Sequence, residues 1–353
     1  MISYLADERR VIQWIRHLAA ETPVFFPMPH GKVNFRFERV DEASELQFAR
    51  YRPTIIAPNS FLTPTKEEIF KYQRVGPGRY ELTPAVETTF QILAGVRPCD
   101  LKAIKLMDDV FADGERDPYY FQRRTNTSLI GYACPAPCDE MAYCESAGSL
   151  DWRDGVDVML TPVGDRMLIQ AYTERGEALT ASGDFDPCDD PDAELQRHLD
   201  ERPKPFGRQL HAPVDELPAI LERHWDSPLW DQHVERCFSC GTCNLVCPTC
   251  YCFDVKDVSA LDGSSGSRTR QWDACMLTTF ATVAGGHNFR ADPAARQRHR
   301  VKRKFQYLNE RYDSGAFCVG CARCGRQCTT GIDIFDIVND IVDHDRAAAG
   351  GAS

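Results

Sequence analysis

With 353 residues, 43% of them hydrophobic, the chain has room for two domains and a sizeable core. Its formal charge of −11 argues against a nucleic-acid binder. Residues 1–10 lack the apolar core of a signal peptide, and no run approaches the roughly eighteen apolar residues of a membrane span, so a cytoplasmic protein with no membrane span is expected.

In chain order, Val11, Ile12, Trp14, Ile15 and Leu18 recur at helical spacing and predict a surface helix with one buried face. Residues 24–26 and 33–37 read as strands turned by Gly31. Pro64 ahead of Thr65 predicts a helix start running into Ile69 and Phe70. Residues 89–96 read as a buried strand ending at Arg97-Pro98-Cys99-Asp100, where Asp100 is placed to cap a helix striped by Leu101, Ile104 and Phe111. A further apolar strand, 128–133, runs into Cys134-Pro135-Ala136-Pro137-Cys138, with Cys144 just beyond.

Strand, helix, strand implies a right-handed crossover and parallel pairing. Residues 1–190 are therefore expected to form an α/β domain with a partly parallel sheet. Cys99 and Cys134 then stand at the carboxyl ends of neighbouring strands, where open α/β sheets bind their ligands. With Cys138 and Cys144 they make a candidate four-thiolate cage. Three readings of it stay open: a third 4Fe–4S site, buried free thiols or zinc. Gly164-Asp165 between two apolar runs predicts a hairpin, and Cys188, in an acidic, proline-bearing stretch, reads as a surface thiol. Residues 191–235 read as a linker and lead-in helices.

The chain is organised around Cys237, Cys240, Cys243 and Cys247, three cysteines at two-residue gaps and a fourth after three residues, followed by Pro248. This is the bacterial ferredoxin run. Short gaps let one loop wrap three corners of an iron–sulfur cube, while the fourth cysteine faces away and ligates another. A second copy follows at Cys318, Cys321, Cys324 and Cys328. By this crossing, one 4Fe–4S cluster takes Cys237, Cys240, Cys243 and Cys328, and the other takes Cys318, Cys321, Cys324 and Cys247. Structural zinc uses separated Cys-x-x-Cys pairs, and loops this tight suit disulfides poorly. Thr329 replaces the proline expected after the second copy, a residue that shapes the turn without being a ligand.

Seventy residues, 248–317, separate the two runs, more than a small ferredoxin needs, so residues 236–346 are expected as a mainly helical dicluster domain. Ile334, Phe335, Ile337, Val338, Ile341 and Val342 give the last helix an apolar face against Asp333, Asp336, Asp340 and Asp343. Residues 347–353 read as a disordered tail. Cys250, Cys252 and Cys275 are thiols beyond the eight of the motif, open to three readings: sulfur-reactive groups, ligands of another cluster, or inert packed thiols. Arg296, Arg298, His299, Arg300, Lys302, Arg303 and Lys304 form a basic run. It reads as a docking face, as charge that raises cluster potentials, or as a solvated helix face. No nucleotide-cradling glycine motif or catalytic triad stands out, and His287 reads as a structural histidine.

Residues 95–101 (Gly95 to Leu101), 247–255 (Cys247 to Val255) and 284–290 (Ala284 to Arg290) resemble the beta subunit of cytosolic NiFe sulfhydrogenases, and equally the related iron–sulfur subunit of anaerobic sulfite reductase. The similarity runs from about residue 52 to residue 334 and includes both cysteine runs. It implies an electron-transfer subunit that is not catalytic alone. In the hydrogenase reading its partners are NiFe hydrogenase subunits and a flavin-containing, NAD(P)-binding diaphorase subunit. In the sulfite reductase reading they are a similar flavoprotein and a sirohaem subunit. A third reading gives the chain its own polysulfide-reducing thiol site at Cys250, Cys252 and Cys275.

Overall fold

The computed structural model describes residues 2–48, 51–85 and 89–350. Strand β1 (Ile2–Asp7) leads straight into helix α1 (Glu8–Glu21), capped by the Asp7 carboxylate, which accepts from the Arg10 backbone amide at 2.8 Å. Val11, Trp14, Ile15 and Leu18 are its buried face, as their spacing predicts. Hairpins β2 (Val24–His30)/β3 (Asn34–Arg39) and β4 (Lys66–Gly76)/β5 (Arg79–Pro84) follow. Strand β6 (Gln91–Val96), helices α2 (Pro98–Ala112) and α3 (Pro118–Thr125) and strand β7 (Thr127–Tyr132) make the crossover, which is parallel as expected. Then come the expected hairpin β8 (Val158–Val163)/β9 (Arg166–Ala171), helix α4 (Glu174–Thr180) and the short strand β10 (Asp186–Pro187).

These strands make an eight-stranded sheet in the order β10-β1-β9-β8-β7-β6-β2-β3, parallel from β2 through β6 and β7 to β8 and antiparallel elsewhere. One face packs against α1 through Trp14, Phe26 and Ile130, and the other against α2 through Leu93, Ile104 and Met159. At the end of β6 the ladder shifts register around Gly95, whose φ of +75° suits glycine and whose Cβ, if present, would lie 2.9 Å from the Phe26 ring. The irregularity ends the strand where the cysteine-bearing loop begins.

Two local expectations fail here. The segment after Pro64 is strand β4, not a helix, because Glu67 is drawn into a buried ion cluster with Arg123 and Arg270 that pins it across from the neighbouring strand. Asp100 does not cap α2: Pro98 opens that helix after Arg97, and the Asp100 carboxylate is buried against Arg323 instead.

The second half begins with α5 (Pro191–Glu201), a helix inside the stretch expected as linker, whose His198 bonds the Pro162 carbonyl at 2.8 Å. The expected lead-in helices are α6 (Leu217–Arg223) and α7 (Leu229–Val234). After α8 (Thr242–Leu245) comes a hairpin, β11 (Phe253–Ser259)/β12 (Ser265–Trp272), within the stretch expected as mainly helical. It joins the earlier hairpin in a four-stranded antiparallel sheet ordered β11-β12-β4-β5, so the two halves of the chain are interlocked. Helix α9 (Pro293–Lys302), a π-helical turn (Arg303–Tyr307) and α10 (Leu308–Tyr312) lead to α11 (Arg323–Arg326) and α12 (Ile334–Gly350).

Ile334, Ile337, Val338, Ile341 and Val342 of α12 are buried against Leu217, Leu221, Trp230 and Phe305. Asp333, expected on the polar face, is buried at the helix start and paired with Arg208. The helix continues to Gly350, so the first part of the expected disordered tail is helical; residues 351–353 lie outside the described residues. Among the described residues no helix is long and apolar enough to cross a membrane.

Candidate metal centres

The two cysteine runs fold alike. Ser239 and Gly320 hold the same place in their loops and share positive φ, +53° and +65°; Gly241 and Ala322 do the same at +77° and +62°. These left-handed residues reverse the backbone between successive cysteines, after which the short helices α8 and α11 begin. Amides and hydroxyls then reach sulfur: Ser239 N donates to Cys237 Sγ at 3.4 Å, Ile332 N to Cys328 Sγ at 3.3 Å, and Tyr143 Oη lies 3.0 Å from Cys318 Sγ. After Cys328 the chain still turns without its proline, through a Gly331 N to Cys328 O bond of 3.1 Å, and Thr329 is exposed.

Cys237, Cys240, Cys243 and Cys328 line one cavity; Cys318, Cys321, Cys324 and Cys247 line a second. The structure thus brings each crossed quartet together. Cys99, Cys134, Cys138 and Cys144 line a third, with the loop after β6 supplying the first and the loop after β7 the rest. Among the described residues no group of three or more His, Cys, Asp or Glu side chains is gathered as a site for a single metal ion. Four thiols around one cavity match the donor set of a cubane cluster.

The three cavities abut. Arg300 lines both the first and the second, and Cys321 lines both the second and the third. The last contact depends on Gly320, because a Cβ there would lie 2.6 Å from the Tyr143 carbonyl. At the opposite end the first cavity reaches the surface, where Cys240 is exposed and Phe238 is 74% exposed.

The electrostatics are dominated by buried cations, several of them from the basic run. Arg296, Arg300, Lys302 and Lys304 of the basic run are all buried. Arg300 and Lys304 face the cysteine cavities, so for these residues the docking-face and solvated-face readings are corrected. The signal was present: a basic run on a helix flanked by two cluster motifs has thiolates to neutralise. Lys304 is held by the Thr249 carbonyl and hydroxyl, each at 2.8 Å. Arg97 Nη1 points at Cys134 Sγ, 3.4 Å away. Burial pushes the Cys243 thiol up to about 12 and Cys318 up to about 11. A hydrogen bond from Cys250 holds Cys247 low despite its burial.

Cys188 is half-buried against Leu5 and Leu168, not a free surface thiol. His287 is exposed, with its ring against Phe289 and away from the cysteine cavities.

Residues 236–332 match the 4Fe-4S dicluster domain family. Sulfhydrogenase 2 subunit beta of Pyrococcus furiosus is 32% identical over 321 residues, covering 90% of this chain and 92% of that protein. No solved structure matches the chain. The chain belongs to the sulfhydrogenase beta-subunit family, as an iron–sulfur electron-transfer subunit built on a 4Fe–4S dicluster domain.

Proposed function

We propose that this chain is the electron relay of a cytoplasmic, NAD(P)-linked NiFe hydrogenase complex. In this reading Cys237, Cys240, Cys243 and Cys328 hold one 4Fe–4S cluster, Cys318, Cys321, Cys324 and Cys247 a second, and Cys99, Cys134, Cys138 and Cys144 a third. The observation that carries it is the row of three cysteine-lined cavities with shared walls, opening to solvent at Cys240. When bound, such clusters supply one-electron steps. The chain's own residues hold the sulfurs, keep water from the inner two sites, and set the local charge through Arg97, Arg300 and Lys304. The sulfhydrogenase relative supports a hydrogenase complex, with NiFe subunits and a flavin-containing diaphorase as partners. Anaerobic co-purification tests this: nickel and flavin in the recovered complex are expected, whereas sirohaem would move the chain to a sulfite reductase.

Arg300→Met is expected to lower the midpoint potentials of the first and second sites together. A buried unit charge at ~7 Å in an effective dielectric of about 20 is worth about 2.4 kcal/mol, on the order of 100 mV for one electron. A redox titration followed by electron paramagnetic resonance reads the shift, and unchanged potentials would remove Arg300 from the account.

Loading is also expected to depend on pH. Thiols held as high as Cys243 and Cys318 are protonated near neutrality in the iron-free chain. Filling the sites must release those protons and is favoured as pH rises. Reconstitution with iron and sulfide is therefore more complete at about pH 8.5 than at about pH 6.5, read as bound iron per chain.

A further inference from the structure

Beside the second cavity lies a larger one that opens to solvent. Its wall carries Cys250, Cys252 and Cys275, the thiols that the three quartets do not use. The loop after α8 brings the first two and the loop after β12 the third, closed together by an Asp273 N to Cys252 O bond of 2.9 Å. Asn244 Nδ2 donates to Cys250 Sγ at 3.4 Å and to Cys275 Sγ at 3.3 Å. Three sulfurs therefore converge on one wall.

Two further observations point to an occupant. Asn244 Oδ1 and Arg300 Nε have no partner within the protein, although their residues are only 3% and 4% exposed, and both residues line this cavity. Arg290, Arg303 and Lys304 line it too, so the wall facing the thiols is strongly positive. Inert thiols packed in a core would need neither the space nor the charge.

We propose that Cys250, Cys252 and Cys275 hold a fourth 4Fe–4S cluster by three protein thiolates, its remaining corner open to the cavity for a small soft anion such as hydrosulfide. Three thiolates match the donor chemistry, and the basic wall offsets the negative charge of a thiolate-ligated cube with an anion beside it. The cavity is larger than the neighbouring one, which leaves room for that anion. The site uses none of the twelve cysteines of the relay, so it stands or falls separately.

The test uses the full chain purified without oxygen. Alkylation under native conditions, read by mass spectrometry, should leave the half-buried Cys250 and Cys252 unmodified until iron is chelated. A Cys252→Ser/Cys275→Ser variant should hold about four fewer irons while keeping the paramagnetic signals of the other clusters. Sodium sulfide should perturb one cluster's spectrum in the parent and none in the variant. Equal iron in parent and variant, alkylation of Cys252 in iron-loaded protein, a Cys252–Cys275 disulfide, or zinc at this site would each overturn the proposal. Should the relay reading itself fail, iron would be missing from the other sites, and the alkylation pattern of Cys250 and Cys252 would still decide this one.

Discussion

Cys247→Ala is expected to strip about four irons from the chain and to stop electron flow between the surface site and the innermost one. Cys247 belongs by sequence to the first run, but the structure places it in the second cavity with Cys318, Cys321 and Cys324. The signal that disappears must therefore be the one that Cys318→Ala also removes, and the signal that depends on Cys237 must survive. The Thr249 hydroxyl lies 3.5 Å from Cys247 Sγ, the Lys304 ammonium cannot ligate iron, and the one neighbouring thiol, Cys250, is held toward the adjoining cavity by Asn244 Nδ2 at 3.4 Å. Iron analysis paired with paramagnetic resonance checks both halves of the expectation. Loss of the Cys237-dependent signal would mean that each run keeps its own four cysteines.

The second large effect concerns stability. Arg323, between Cys321 and Cys324, forms a two-pronged pair with Asp100, next to Cys99, at 2.6 and 2.8 Å, and its Nε donates to the Thr54 carbonyl at 2.7 Å. Both residues are only 2% exposed. The pair ties the second cavity to the third across the interface of the two halves. Arg323→Met leaves a buried carboxylate without its partner, at an expected cost of about 3–5 kcal/mol. Removing both charges, as Asp100→Leu with Arg323→Met, is expected to recover most of that loss, because the desolvation of two ions disappears with them. Denaturant unfolding of the three iron-free chains measures this. Equal stability for the single and double variants would show that the unpaired carboxylate is not what destabilises.

The contrast between Asp100 and the cysteine quartets shows what could be read from the residues alone. The gathering of the crossed quartets around common cavities was legible because the cysteine spacing is a local rule, and the backbone repeats it in both copies at Ser239/Gly320 and Gly241/Ala322. The crossover that places Cys99 near Cys134 was legible because apolar strands around a helix leave one handedness. Asp100 misled because capping is a local preference that the buried Arg323, more than two hundred residues away, overrides. Strand β4 misled for the same reason, since Arg270 pulls Glu67 into a sheet completed from the far half of the chain. The basic run stayed open to several readings because only the fold shows that Arg300 and Lys304 are buried and face the cysteine cavities rather than water. Charge patterning reports sign but not the direction a helix faces.

The proposed relay rests on contiguity: three cysteine-lined cavities share walls at Arg300 and Cys321. Electron paramagnetic resonance of the fully reduced, anaerobically prepared chain tests it most directly. Touching sites predict a spectrum broadened and split by spin coupling that collapses to simple signals in Cys247→Ala. A sum of independent, uncoupled signals in the parent, or zinc in place of iron, would contradict it.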